Sequence, residues 1–290
     1  MRFGSALLLG TLVCGALAAD PTTPKVPPEA AKTVARINEL RALVGQAPVT
    51  YDATRGDGCT KHAKYLVLHD AKVWLAKDPL NYHDEVATLA GFTPEGQAAA
   101  RSSVVAWKEP LPAIDDYVSG IFHRVPILDP RLKSVAIGRA TGTKWGAVSL
   151  VDVLSGVDAS QPWDRATVVT YPVDAQRDVP LILGNEMPNP IPQDPDHVGG
   201  YPVTATFAPG AKVTGVTATL RRGGKDVPVW VSTPEAPAVA GYQGNTVGLV
   251  AHDALLASAT YDVAIEATVD GVPWKKAWSF TTKAVPKKRR

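Results

Sequence analysis

Cysteine is nearly absent: the 290 residues hold two, Cys14 and Cys59. Cys14 falls in a segment with the features of a cleaved leader, so Cys59 is left alone and no internal disulfide can form. Stability must then come from packed cores rather than covalent staples. An excess of charge of either sign is also lacking. Thirty basic residues face 28 acidic ones, which gives no general electrostatic basis for binding nucleic acid. After the N-terminal segment no stretch is long and apolar enough for a transmembrane helix. Finally, no Gly-x-Ser-x-Gly elbow surrounds Ser102, Ser103 or Ser119, which read as helix-surface or helix-end serines rather than nucleophiles.

What is present begins with Arg2, the apolar run Ala6 to Val13, and Ala16-Leu17-Ala18. The run is too short to span a bilayer, and the small-x-small ending suits a signal peptidase. Residues 1–18 are therefore expected to be a secretory signal, in preference to lipidation at Cys14, since Val13 is a poor residue before a lipidated cysteine. The expected location is secreted, periplasmic or cell-envelope. Residues 19–30, rich in proline and threonine, predict an extended tether. At this length two domains of ordinary size fit: 31–157, and 158–283 with a proline-rich segment at 186–200. Residues 284–290 form a basic tail, read as a solvated end.

In the first domain Val34, Ile37, Leu40 and Val44 recur at helical spacing, with Gly45 as the stop. A second helix follows Asp57, its buried stripe being Cys59, Ala63, Leu66 and Val67; Cys59 reads as core rather than nucleophile. Thr93-Pro94-Glu95 caps and opens a third helix that runs through Ala98 to Trp107. A fourth spans Ile114 to Phe122, and two strands follow at Ser134 to Arg139 and Trp145 to Val153. Helices followed by strands within one domain length imply an α+β or three-layer fold. Beyond Val157 the helical period disappears. Strands are expected at Val203 to Phe207, Val216 to Leu220 and Val227 to Val231, with hairpin turns at Gly223-Gly224 and Asp270-Gly271. This pattern predicts an all-β sandwich.

Among the chemistry-bearing residues, His83 lies in the loop Asn81 to Glu85, Glu95 opens the third helix, and His123 follows the fourth. Two imidazoles and a carboxylate can ligate a divalent ion such as zinc, leaving a coordination position open, or can form a hydrogen-bonded polar cluster. Both readings stand at this point. His62 and His69, seven residues apart, read as partly exposed helix residues. Asp194, Asp196 and His197 sit in proline-rich sequence without an ordered calcium-ligand pattern and read as plain loop.

The order of these motifs carries a resemblance. Ala35 to Arg41, Cys59 to Leu66, the His83 loop, Gly91-Phe92-Thr93-Pro94-Glu95-Gly96 and His123-Arg124-Val125-Pro126-Ile127-Leu128-Asp129-Pro130, followed by Val135 to Gly138, together resemble the CAP superfamily in its bacterial, cysteine-poor branch. That superfamily comprises the cysteine-rich secretory, antigen 5 and pathogenesis-related proteins, and the similarity covers roughly residues 31–155. It implies an α-β-α sandwich whose cleft is lined by two histidines and two acids: His83 as the first histidine, Glu95 as the first acid and His123 as the second histidine. The second acid, three residues before the final histidine, is missing, because Gly120 stands there; Tyr117 stands where tryptophan is common. Asp115 and Asp116 occupy another face of the helix.

The last strands resemble immunoglobulin-like or fibronectin-like domains, in which Tyr261 would tie back to backbone through its hydroxyl. Taken together, the resemblances imply an extracellular binding module for a lipid or cell-envelope ligand. The alternative is a metal-assisted hydrolase, a protease among the options, with Glu95 as general base in the same cleft.

Overall fold

The structure is a computed structural model that describes residues 26–69, 81–143, 146–193 and 199–285. The expected signal, most of the tether, the Asp194–His197 stretch and the end of the basic tail lie outside the described residues. Helix α1 (Pro28–Leu43) starts on a proline at its first turn and buries Ala30, Ile37 and Leu40. The tether therefore gives way to helix at Pro28, earlier than its expected end at residue 30.

Strand β1 (Thr50–Tyr51) leads into α2 (Ala53–Leu68), whose start is fixed by the Asp52 carboxylate accepting the Arg55 N–H. Thr93 accepts the Gly96 N–H to open α3 (Pro94–Ser102). The chain then turns into β2 (Ser103–Ala106) instead of continuing as helix to Trp107. The β-branched Val104 and Val105 find an antiparallel partner strand there, and strand pairing overrides the helical reading. Helix α4 (Pro110–Val118) begins and ends four residues before its expected limits, and a single turn, α5 (Arg124–Ile127), follows. Strands β3 (Ser134–Thr143) and β4 (Gly146–Asp152) complete a sheet of order β1-β3-β4-β2.

Alternation along β3 and β4 divides the helices between the two sheet faces. Val135, Ile137, Val151 and Val153 join a core with α1 and α4 residues, whereas Ala136, Val148 and Leu150 pack with Cys59, Ala63 and Leu66 of α2 and Ala99 of α3. Gly138 is where α2 comes closest: a Cβ there would stand 2.2 Å from the Cys59 carbonyl carbon. Cys59 itself is fully buried, and burial pushes its thiol up to about 12, so it stays protonated and inert as expected of a core residue.

The second region contains β5 (Val169–Tyr171), β6 (Gln176–Val179), β7 (Val203–Thr206), β8 (Val213–Arg222), β9 (Lys225–Asp226), β10 (Val229–Ser232), β11 (Thr246–Ala251), β12 (Thr260–Val269) and β13 (Val272–Thr282). They form two sheets, β10-β11-β7-β5 and β6-β13-β12-β8-β9. Inward residues of both, among them Phe207, Val247, Leu249, Val263, Ile265 and Phe280, belong to one buried cluster. Both expected hairpins are present. Asp270 and Gly271 have φ of 51° and 82°, the doubly positive geometry of a tight turn between twisted strands. The Tyr261 hydroxyl accepts the Leu256 N–H at 2.8 Å, the tie expected of it.

The two regions are joined through the segment after α4. Arg124 is 1 % exposed and carries its guanidinium out of the first region. It donates to the Val118 carbonyl at 2.7 Å on its own side, and to the Pro202 carbonyl at 2.8 Å and Thr204 Oγ1 at 3.1 Å on the other. Its planar head lies over the Tyr171 and Tyr201 rings at 4.8 and 5.1 Å. Ile121 and Phe122 pack beside it with Leu183, Ile191 and Val250.

Candidate functional site

His83 sits at the end of the short 3-10 turn Asn81–His83, with Nδ1 at 3.1 Å from the Ala100 carbonyl of α3. Burial holds its imidazole below the ordinary histidine value. The Ala100 carbonyl opposes that shift, and the like charges of His123 and His62 add to it. The structure thus brings both predicted histidines into one electrostatic neighbourhood.

Glu95 is not brought there. At the second position of α3 its side chain faces α2, where its carboxylate is exposed and pairs with Lys61 at 3.3 Å. The backbone N–H of Glu95 itself, and after it the hydrogen bond and charge of Lys61, hold that carboxylate below its usual range. The expected His83–Glu95–His123 ligand set is therefore not assembled. Among the described residues no group of three or more His, Cys, Asp or Glu is arranged to hold a metal ion.

Two other glutamates meet histidines instead. Glu85, 3 % exposed, places Oε1 at 2.9 Å from Nδ1 of His62 and accepts the Thr93 N–H at 2.9 Å through Oε2. His62 was expected to be partly exposed, but it is completely buried. It lies at i+3 from Cys59, inside the apolar stripe, and its polarity is satisfied at both nitrogens. Nε2 donates to the Tyr82 carbonyl at 2.8 Å, so a single proton is shared between Nδ1 and Glu85. That placement on the stripe is the sequence signal that pointed inward. His69, by contrast, is partly exposed as expected.

Glu186 is the second of these, and it comes from the other region. Its Oε1 lies 2.9 Å from Nδ1 of His123 and 2.8 Å from the His123 backbone nitrogen, while Oε2 accepts the Ile121 N–H at 2.6 Å. Two backbone amides of one turn and one imidazole converge on a carboxylate that is 1 % exposed. Tyr117 stacks on the other side of His123, ring centroids 5.5 Å apart. The Tyr117 and Ser149 hydroxyls are buried facing each other, short of a well-formed hydrogen bond among the described residues; burial pushes the Tyr117 phenol well above its usual range, and the Ser149 hydroxyl opposes that shift.

The remaining candidates are committed elsewhere. Asp115 binds Arg36 at 2.8 Å, and Asp116 pairs with Lys108. Ser102 donates to Ala98 and Ser119 to Asp115, each along its own helix, and the Ser103 hydroxyl lies beside the Cys59 sulfur at 3.9 Å. A groove of about 860 Å³ also runs along the junction, lined by none of His83, His123 and Glu186. Leu40 of α1 and Val118 and Ser119 at the end of α4 form one wall, and Tyr171 and Tyr201 of the second region form the other.

Residues 34–153 match the family model of CAP, the cysteine-rich secretory protein family. The match ends before Glu186. No curated protein matches the chain at a significant level.

Proposed function

With a CAP domain over residues 34–153 as the premise, we propose that the chain is exported after loss of residues 1–18 and acts outside the cytoplasm as a non-catalytic binding protein. The ligand it takes is a lipid or another component of the cell envelope, held at the junction of the CAP domain with an immunoglobulin-like β-sandwich formed by the second region. One observation carries this reading: the imidazole of His123 is gripped at Nδ1 and stacked on Tyr117, and the nearby serines are spent on structural hydrogen bonds. Such an arrangement holds a recognition group rigidly without supplying an activated nucleophile. The groove along the same junction gives space for an amphipathic molecule, and His83, kept neutral by burial, adds a recognition surface without added charge.

The test uses purified chain from residue 19 onward, with phospholipid vesicles and isolated cell-wall material as probes and casein as a substrate, with and without added zinc. Saturable binding that weakens at least tenfold in His123→Ala, with no casein hydrolysis, is the expected outcome. Metal-dependent casein cleavage abolished by a His83→Ala, His123→Ala double variant would instead establish the hydrolase.

A further inference from the structure

Position 120 is where the first region lacks an acid, and the space left there is filled by another residue's acid. A Cβ built on Gly120 would stand 2.4 Å from Oε1, 2.6 Å from Cδ and 2.9 Å from Oε2 of Glu186. The backbone gives no reason for glycine at this position, since Gly120 is not among the residues with positive φ. The glycine is explained by the carboxylate that needs its volume.

That carboxylate is fully engaged: Ile121 N–H, His123 N–H and His123 Nδ1 surround it, all within 2.9 Å. Its reach across the junction is fixed on both flanks. The Gly184 N–H donates to the Ser119 carbonyl at 2.9 Å, and Leu183 packs in the cluster with Ile121 and Phe122. The segment carrying Glu186 is therefore docked on the turn that carries His123.

We infer that Glu186 is the positioning carboxylate of His123, delivered from the second region through the gap at Gly120, so that the site is complete only when both regions are joined. Glu186 holds the proton on Nδ1 and thereby presents Nε2 as a bare lone pair, able to take a hydroxyl or N–H donor of a ligand or a Lewis-acidic cation. This rests on the binding reading above for its purpose, but the tautomer can be measured with no ligand at all. Failure of every binding assay would therefore leave the inference standing, and failure of the inference would leave binding open.

The experiment is two-dimensional ¹H–¹⁵N correlation of the histidine rings in the full chain from residue 19, above the pH at which the imidazoles are protonated. Wild type is expected to show His123 in the Nδ1–H form, the minor form of free histidine. Glu186→Ala should return it to the Nε2–H form. Gly120→Ala should do the same while Glu186 is still in the chain, because the added methyl takes the place of the carboxylate. Glu186→Gln, whose amide oxygen can still accept from Nδ1, should keep the Nδ1–H form and serves as the folded control. Gly120→Asp combined with Glu186→Ala should restore the Nδ1–H signal through a side-chain carboxylate carried by the first region itself. A wild-type His123 in the Nε2–H form, or a Gly120→Ala chain with an unchanged His123 signal, overturns the inference.

Discussion

His62–Glu85 and His123–Glu186 have the same 2.9 Å separation between Nδ1 and Oε1. The first pair lies wholly within the first region, is completely dry, and uses both imidazole nitrogens, one on Glu85 and one on the Tyr82 carbonyl. The second spans two regions, and its imidazole side chain keeps 18 % of its surface. Two buried arginines repeat the contrast. Arg41 donates to the carbonyls of Ala47, Ile127, Asp129 and Leu132, all in the first region, and remains charged at neutral pH although burial lowers it to about 10. Arg124 divides its bonds between the regions and keeps Nη2 without a partner among the described residues. The His62–Glu85 pair, closed within one region, has both imidazole nitrogens engaged and acts as structure. His123, closed across the junction, is engaged at Nδ1 and keeps part of its ring open to solvent, which is where the proposed recognition would take place.

The largest effect should come from breaking the closed pair. Glu85→Ala leaves both His62 and the Thr93 N–H without an acceptor in a dry interior, at a cost of about 3–5 kcal/mol. Urea denaturation of Glu85→Ala beside Glu186→Ala checks the comparison. The junction pair, partly open to water, should lose less, and the opposite order would break the distinction. Arg124→Met comes next, at about 2–4 kcal/mol for the carbonyls it strands. Its sharper signature is the shape of the curve. Arg124→Met should separate unfolding into two transitions, seen as non-coincident fluorescence and circular dichroism, whereas Arg41→Met should weaken the first region without separating it further from the second.

Much of this fold was legible because it is written locally. The Ile37–Leu40 stripe, the Thr93 cap and the Asp270-Gly271 turn each depend on residues within one turn or hairpin, and all three stand where the spacing put them. The helix expected to reach Trp107 failed because Val104 and Val105 pair with Val151 and Leu150 of β4, contacts far away in sequence. The site was legible only in its histidines. Glu95 was chosen for its place in a motif, but a helix face cannot be aimed without knowing which neighbour covers it, and Lys61 did. Glu186 left a single trace, the unexplained glycine at 120. No periodicity connects a proline-rich loop to a turn 66 residues upstream, and residue 186 lay in sequence that read as linker.

The smallest predicted effect concerns His83, which closes its hydrogen bond inside the first region. Burial keeps its folded value below the ordinary 6.5, so between that lowered value and 6.5 the unfolded chain binds the proton more readily than the folded one. The stability attached to this residue is accordingly complete above pH 6.5, falls as the pH drops toward the folded value, and levels off below it. His83→Asn removes the titrating group and should flatten that part of the profile, read as the difference in urea midpoint between variant and wild type at several pH values from 7.5 to 4.5. Steepening in the variant would show that His83 gains its proton on folding. It would then stand with the charged, junction-facing groups rather than with the neutral, enclosed ones.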